Sequence, residues 1–155
     1  MSIEYFECPP ELVPMALLLE ADPSEESIRS YLAGSWCFVA KEKEVVLAVC
    51  VVKPIQTGIV EIFNVAVLPE RQQQGIGSVL LRYTLEQLRH KGVKRVELGT
   101  GSFGYQLTYY QRLGFRVDTI VKDHFLIHYS DPIFEHGIQH KDMLRLALNL
   151  EGEEG

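Results

Sequence analysis

The chain has 155 residues, 46% of them hydrophobic and 23% charged, with a formal net charge of -6. That length fits one domain, residues 1–150 followed by an acidic tail at 151–155, with enough apolar material for a core without disulfides. The negative balance disfavours nucleic acid as a partner and favours a cationic one. No basic stretch runs into a long apolar one at the N-terminus, and no run approaches the eighteen or so apolar residues of a membrane span. A cytoplasmic chain with no membrane partner is therefore the expectation.

Ser2 to Glu7 reads as a first strand. Pro9, Pro10 and Pro14 precede an apolar run to Leu19, and proline suits only a first helical turn, so a helix is expected from about Pro14. Asp22-Pro23-Ser24-Glu25 is a second helix start, with Asp22 as cap, Pro23 at the first position and an end at Gly34. Ser35–Ala40 and Val45–Val52 form an expected hairpin around Lys41–Glu44, closed by Pro54. The lone Trp36 is read as core, and Cys37 and Cys50 as buried thiols; the three cysteines show no metal or disulfide spacing.

Thr57 to Leu68 is the next strand, followed by a loop and a long helix from Gly75 to Lys91, about 25 Å in length. Ile76, Leu80, Tyr83 and Gln87 lie along one line of it, and Val79, Leu81, Leu85 and Leu88 widen the apolar face. Gly92 suits its C-terminal stop. Lys94–Leu98 reads as strand, Gly99-Thr100-Gly101 as a turn, and Gly104–Leu113 as a short helix closed by Gly114. Phe115–Val121 and Phe125–His128 read as strand, with a bend at Lys122-Asp123. Asp131 to Gly137 reads as loop and Met143–Leu150 as a last strand. The order predicts an α+β (or mixed α/β) sheet flanked by helices.

Gln72-Gln73-Gln74-Gly75-Ile76-Gly77-Ser78 joins the strand to the long helix. The first turn of a helix offers amides without intrahelical partners at the positive end of its dipole. Glycine lets a ligand approach the backbone, and such a site holds phosphate oxygens. Arg71 adds a cation. The bland alternative is a helix start that needed glycines only to turn, but Gly75 and Gly77 have no evident reason of that kind once the helix is under way.

Val65-Ala66-Val67-x-Pro69-x-x-Gln72-x-x-Gly75-x-Gly77 resembles the core motif of the GNAT acetyltransferases, Q/R-x-x-G-x-G/A after an apolar strand end. Tyr110-Gln111-Arg112-Leu113-Gly114-Phe115 looks like the Y-x-x-x-G-F block of that family. Gly99–Gly101, Asp123–Phe125, His128-Tyr129 and Ile133–Ile138 further resemble a bacterial branch, the YvbK-like acetyltransferases. The resemblance implies a mostly antiparallel sheet of six to seven strands with about four helices, and acetyl-CoA as co-substrate. It implies that the backbone of Val65, Ala66 and Val67 pairs with the pantetheine arm. The amides of Gln73, Gln74, Gly75, Ile76, Gly77 and Ser78, with the Gln72 side chain nearby, would hold the pyrophosphate. Tyr110 would protonate the departing thiolate. Glu61, eleven residues before Gln72, falls where histone-type members carry a general base.

Amine acetylation needs a neutral amine, although a lysine-like amine has a pKa of about 10.4. Glu61 could remove that proton directly or through a water; a solvated strand carboxylate is the bland reading. A strand N–H near Ala66 could face the oxyanion. A phenol, with an ordinary pKa of about 10, is matched to a thiolate. Spacing to Gly114 favours Tyr110 over Tyr109 for that role. Family members often carry asparagine seven residues before the tyrosine; here that position is Phe103, and Ser102 could replace the contact.

Gly99-Thr100-Gly101-Ser102-Phe103-Gly104 spells G-x-G-x-x-G, but too few residues follow for a dinucleotide fold and no acidic residue clearly ends a second strand. His124, His128, His136 and His140 are read as surface or core histidines rather than metal ligands, so no metal is expected. Ile133–Ile138 could form a substrate lip or a subunit contact, and a homodimer through the C-terminal strands is one expectation. The expected reaction is transfer of acetyl from acetyl-CoA to a primary amine of a small molecule or peptide. The alternative is a non-catalytic acyl-CoA-binding or sensor module.

Overall fold

A computed structural model describes residues 2–150. The expected acidic tail, 151–155, lies outside the described residues. The described residues form two compact units that meet in sequence at Lys94 and Arg95. The fold is α+β, with five α-helices and mostly antiparallel strands.

The first unit carries β1 (Glu4–Cys8), α1 (Met15–Leu18), α2 (Glu25–Leu32), β2 (Trp36–Glu42), β3 (Val45–Gln56), β4 (Ile59–Val67) and α3 (Ile76–His90). Its strands pair in chain order, each antiparallel to the next. The hairpin turn tightens to Lys43-Glu44, with Lys43 at φ 55°. β3 continues past Pro54 to Gln56, against expectation, because a register shift between Pro54 and Gln56 absorbs the missing amide.

Alternation divides the core of this unit. Cys37, Val39, Val49, Val51 and Ala66 pack with Leu17, Leu18, Ile28 and Tyr31 from α1 and α2. The neighbouring positions turn the other way, and α3 packs against β2, β3 and β4. There Phe38 meets Tyr83 edge-to-face at 6.3 Å, and the Thr84 side chain is fully buried. Burial pushes the Cys50 thiol up to about 12 and Cys37 to about 11, so both behave as inert packing groups. Ile76, Leu80, Leu81, Leu85 and Leu88 are buried as expected, whereas Val79 is exposed and Thr84 takes a place on the buried face. Trp36 is only half-buried, with Lys91 Nζ 4.4 Å above its ring, and is not core.

The α2 cap also departs from expectation. Ser24 caps the helix and its hydroxyl accepts from Ser27 N at 3.1 Å. Asp22 is buried, where one carboxylate oxygen accepts from Ser24 N at 3.1 Å and the other from the Tyr31 hydroxyl at 3.0 Å. A carboxylate held by those donors is not available to a helix terminus two residues away.

The second unit carries β5 (Arg95–Gly101), α4 (Tyr105–Arg112), β6 (Arg116–Val121), α5 (His124–His128), the two-residue strands β7 (Phe134–Glu135) and β8 (Ile138–Gln139), and β9 (Met143–Asn149). β9 lies between β5 and β6 and is antiparallel to both. Gly99-Thr100-Gly101 belongs to β5, where it pairs with Met143–Arg145, and is not a turn. Phe125–His128 is helical: Asp123 at φ 64° reverses the chain and its carbonyl accepts from Leu126 N and Ile127 N. The expected loop after Asp131 contains the β7–β8 ribbon. Val96, Leu98, Phe115 and Leu146 are buried here.

Candidate coenzyme loop and acyl-transfer residues

Strand β4 holds Glu61, Val65, Ala66 and Val67. Val65, Ala66 and Val67 pair with Cys50, Val49 and Ala48 of β3, and the Ala66 side chain is buried. Glu61 lies opposite Lys53 and is half-buried. Val65 lies four positions further along the strand, about 13 Å along the chain. Between them the register shifts: Val51 faces Asn64 while Val52 faces Ile62, so Phe63 is an extra residue in a bulge.

Beyond β4 a 3₁₀ turn, Pro69–Arg71, leads into the glutamines. Gln73 at φ 63° and Gly75 at φ 84° are left-handed, and Gln72 through Gly75 are exposed. The first helical hydrogen bond runs from Val79 N to Gly75 O at 3.0 Å, so the amides of Ile76, Gly77 and Ser78 precede the helical ladder. The first turn contains no acidic residue. The result is a row of backbone donors at a positive helix end, reached from the exposed loop Gln72 to Gly75.

Both glycines also have conformational reasons that the sequence reading denied them. Gly75 is the cap residue in a conformation other residues adopt at a cost, and a Cβ at Gly77 would sit 3.2 Å from Val67 Cγ2. The helix thus starts close against the end of β4 because residue 77 has no side chain. Arg71 is not a free cation: its Nη1 meets Glu42 Oε1 at 2.8 Å and its Nε donates to Gln74 Oε1 at 3.1 Å. The Arg71 guanidinium in turn holds the Glu42 carboxyl below the usual range. The Gln72 amide donates to Val67 O at 3.1 Å, which ties the loop to the strand it follows. Sequence reading missed Arg82, whose guanidinium donates to Ser78 Oγ at 3.0 Å and brings positive charge to the first turn. The i,i+4 spacing of Ser78 and Arg82 was the available signal.

The remaining site residues lie in the second unit. Ser102 is exposed between β5 and α4. Tyr110 is buried in the last turn of α4, its ring edge-to-face with Phe115 at 5.9 Å, and its carbonyl accepts from Phe115 N. Tyr109 packs 5.6 Å from Tyr110, and its buried hydroxyl has no hydrogen-bond partner.

The G-x-G-x-x-G segment has a packing explanation. His140 is buried, its Nε2 2.8 Å from Glu135 Oε1 and its ring stacked on Phe103 at 4.2 Å and 7°. A Cβ at Gly101 would overlap the His140 imidazole, and one at Gly104 would come within 2.7 Å of the Glu135 carboxylate. Phe103 is committed to that stack. His124 packs near His128 with ring centroids 4.6 Å apart, and His136 lies on the exposed ribbon turn. Among the described residues no three His, Cys, Asp or Glu side chains converge as a metal group would require. Nor, among them, is any helix long and apolar enough to cross a membrane.

Residues 4–115 match the model of the Acetyltransferase (GNAT) family. The N-acetyltransferase YvbK of Bacillus subtilis (strain 168) is 40% identical over 135 residues, 86% of this chain and 87% of that protein. The structure of an IAA acetyltransferase from Bacillus cereus ATCC 14579 aligns with TM-score 0.90 and 40% identity, covering 96% of this chain and 99% of that one. A GNAT family acetyltransferase from Elizabethkingia anophelis, solved with acetyl-CoA bound, aligns with TM-score 0.87 and 36% identity, covering 95% and 97% of the two chains. With a helix-terminal donor row flanked by an apolar strand end, and a family match across most of its length, the chain belongs to the GNAT acetyltransferases and is an acyltransferase.

Proposed function

We propose that the chain transfers the acetyl group of acetyl-CoA to a primary amine of a small molecule or peptide, by direct attack in a ternary complex. The observation that carries this reading is the donor row from Gln73 to Ser78, which opens on the exposed residues Gln73 to Gly75 and is free of first-turn carboxylates in a chain of net charge -6. It supplies the local positive potential that a pyrophosphate needs. The acetyl-CoA held by the Elizabethkingia relative supports the same donor.

In this reading the backbone of Val65 to Val67 extends along the pantetheine arm, and Ser102 contributes a further polar contact to the coenzyme. Glu61 takes the amine proton, directly or through a water. The neutral nitrogen attacks the thioester carbonyl, and a strand N–H near Ala66 faces the oxyanion. Collapse of the tetrahedral intermediate breaks the C–S bond, Tyr110 gives its proton to the thiolate, and the extra proton on the acylated nitrogen restores the Tyr110 phenol through water. Holding the two substrates together accounts for much of the acceleration.

Titration calorimetry with coenzyme A, followed by a thiol-release screen of primary amines with acetyl-CoA, tests the proposal. Binding with a dissociation constant in the roughly 1 μM–1 mM range of enzyme substrates, plus amine-dependent thiol release, is expected. Binding without release for any amine would favour the sensor alternative, and absence of binding would end both readings. For the base, Glu61→Gln is expected to move the acid limb of the kcat/KM–pH profile upward, toward the amine's own pKa of about 10.4. An unchanged profile would remove Glu61 from the mechanism.

A further inference from the structure

Asp22, Tyr31 and Asn64 form a buried polar chain that ends on the strand segment just before Val65. Asn64 is 4% exposed. Its Nδ2 donates to Leu18 O at 3.1 Å and to the Tyr31 hydroxyl at 3.0 Å. Tyr31 passes its own proton to Asp22 Oδ2 at 3.0 Å, and its ring stacks on Phe63 at 4.9 Å and 14°. Leu18 ends α1, Tyr31 belongs to α2, and Phe63 and Asn64 form the bulge of β4. One amide group therefore fastens two helices to the bulge of that strand.

This arrangement serves stability poorly. Asn64 Oδ1 is buried without a hydrogen-bond partner, which costs free energy that an apolar side chain would not cost. Nor do the partners need Asn64. Leu18 O already accepts from Ala21 N and Asp22 N, both at 3.2 Å, and the Tyr31 hydroxyl is satisfied by Asp22. An apolar residue at 64 would orphan no partner and would remove one orphan. A polar side chain kept at such a cost points to a geometric task.

We propose that Asn64 is a positioning residue of the acyl-transfer site. It holds the β4 bulge, and with it the backbone of Val65 to Val67, in a set relation to the α1–α2 segment. The inference rests on the reading of Val65 to Val67 as the donor strand. A bulge re-aims the residues that follow it, and a small misplacement of reacting groups lowers turnover without touching a distant binding loop.

The test compares Asn64→Leu, Asn64→Ala and Tyr31→Phe with the wild type. The measurements are melting temperature, calorimetric affinity for coenzyme A, and thiol release from acetyl-CoA with the amine found by the screen, or with water when none is found. Asn64→Leu is expected to melt at or above the wild-type temperature and to bind coenzyme A within about threefold, because the Gln73–Ser78 row is untouched, while kcat falls between about tenfold and a hundredfold. Tyr31→Phe keeps the ring stack on Phe63 and is expected to lower kcat less. Wild-type kcat in Asn64→Leu or Asn64→Ala would overturn the proposal. So would melting temperature and coenzyme affinity both collapsing in the two variants, which would make Asn64 a residue of fold stability. A wild type that does not bind coenzyme A fails the donor reading itself, and that is seen before any variant is made.

Discussion

Tyr110→Phe is expected to lower kcat by about 10²–10⁴-fold, the range typical of a lost general acid, while leaving coenzyme A affinity within a factor of two or so. The substitution removes one hydroxyl from a buried ring whose edge-to-face contact with Phe115 a phenylalanine would keep. Folding and packing should therefore survive, and the loss should appear in turnover. Tyr109 is the internal control. Its hydroxyl is buried and has no hydrogen-bond partner, so Tyr109→Phe removes an unsatisfied group and should be neutral or slightly stabilising. Steady-state kinetics and melting curves on both variants separate the two. If Tyr109→Phe loses turnover and Tyr110→Phe does not, the unpartnered hydroxyl is the proton donor. If neither does, the thiolate leaves without a protein acid.

Gly101→Ala is expected to destabilise the protein by about 1–3 kcal/mol, the usual cost of overpacking, and to lower the melting temperature by roughly 3–10 °C. The added methyl would overlap the His140 imidazole. That ring has no room to yield: Glu135 holds its Nε2 at 2.8 Å, Phe103 covers its face, and its backbone N–H donates to Ile133 O at 2.8 Å. His140→Ala alone should also destabilise, by emptying the stack on Phe103 and removing the 2.8 Å partner of Glu135 Oε1. In the double variant the methyl enters the vacated space, so the two losses should not add. Additive melting shifts would show that Gly101 answers to something other than His140. The G-x-G-x-x-G segment thus illustrates how a spacing can spell one chemistry and serve another. Gly101 and Gly104 clear space for a protein histidine and carboxylate, and a cofactor backbone is not needed to account for them.

Local rules were enough for most of the secondary structure. The α3 helix announced itself by its apolar face and by Gly92, and β9 by its position and composition. Where local reading failed, a specific contact or backbone reversal decided. Asp22 has the chemistry of a cap, but Tyr31 and Ser24 N claim its carboxylate. Phe125–His128 has strand composition, but Asp123 reverses the chain and starts a helix. Arg71 looked like a free cation, yet Glu42, twenty-nine residues away, pairs with it.

The sequence by itself determined the family and the position of the candidate coenzyme loop, because amides at a helix start and the residues bordering them are contiguous in the chain. Gln72 to Ser78 could be found by reading in one direction. Only the tertiary structure decided what Gly75 and Gly77 are for locally: a left-handed cap, and a close approach to Val67. It alone revealed Asn64, whose partners Leu18 and Tyr31 lie 46 and 33 residues away. A single buried amide carries no periodicity and no motif. Its meaning comes from which donors and acceptors folding brings within 3 Å or so, and a linear sequence does not display that.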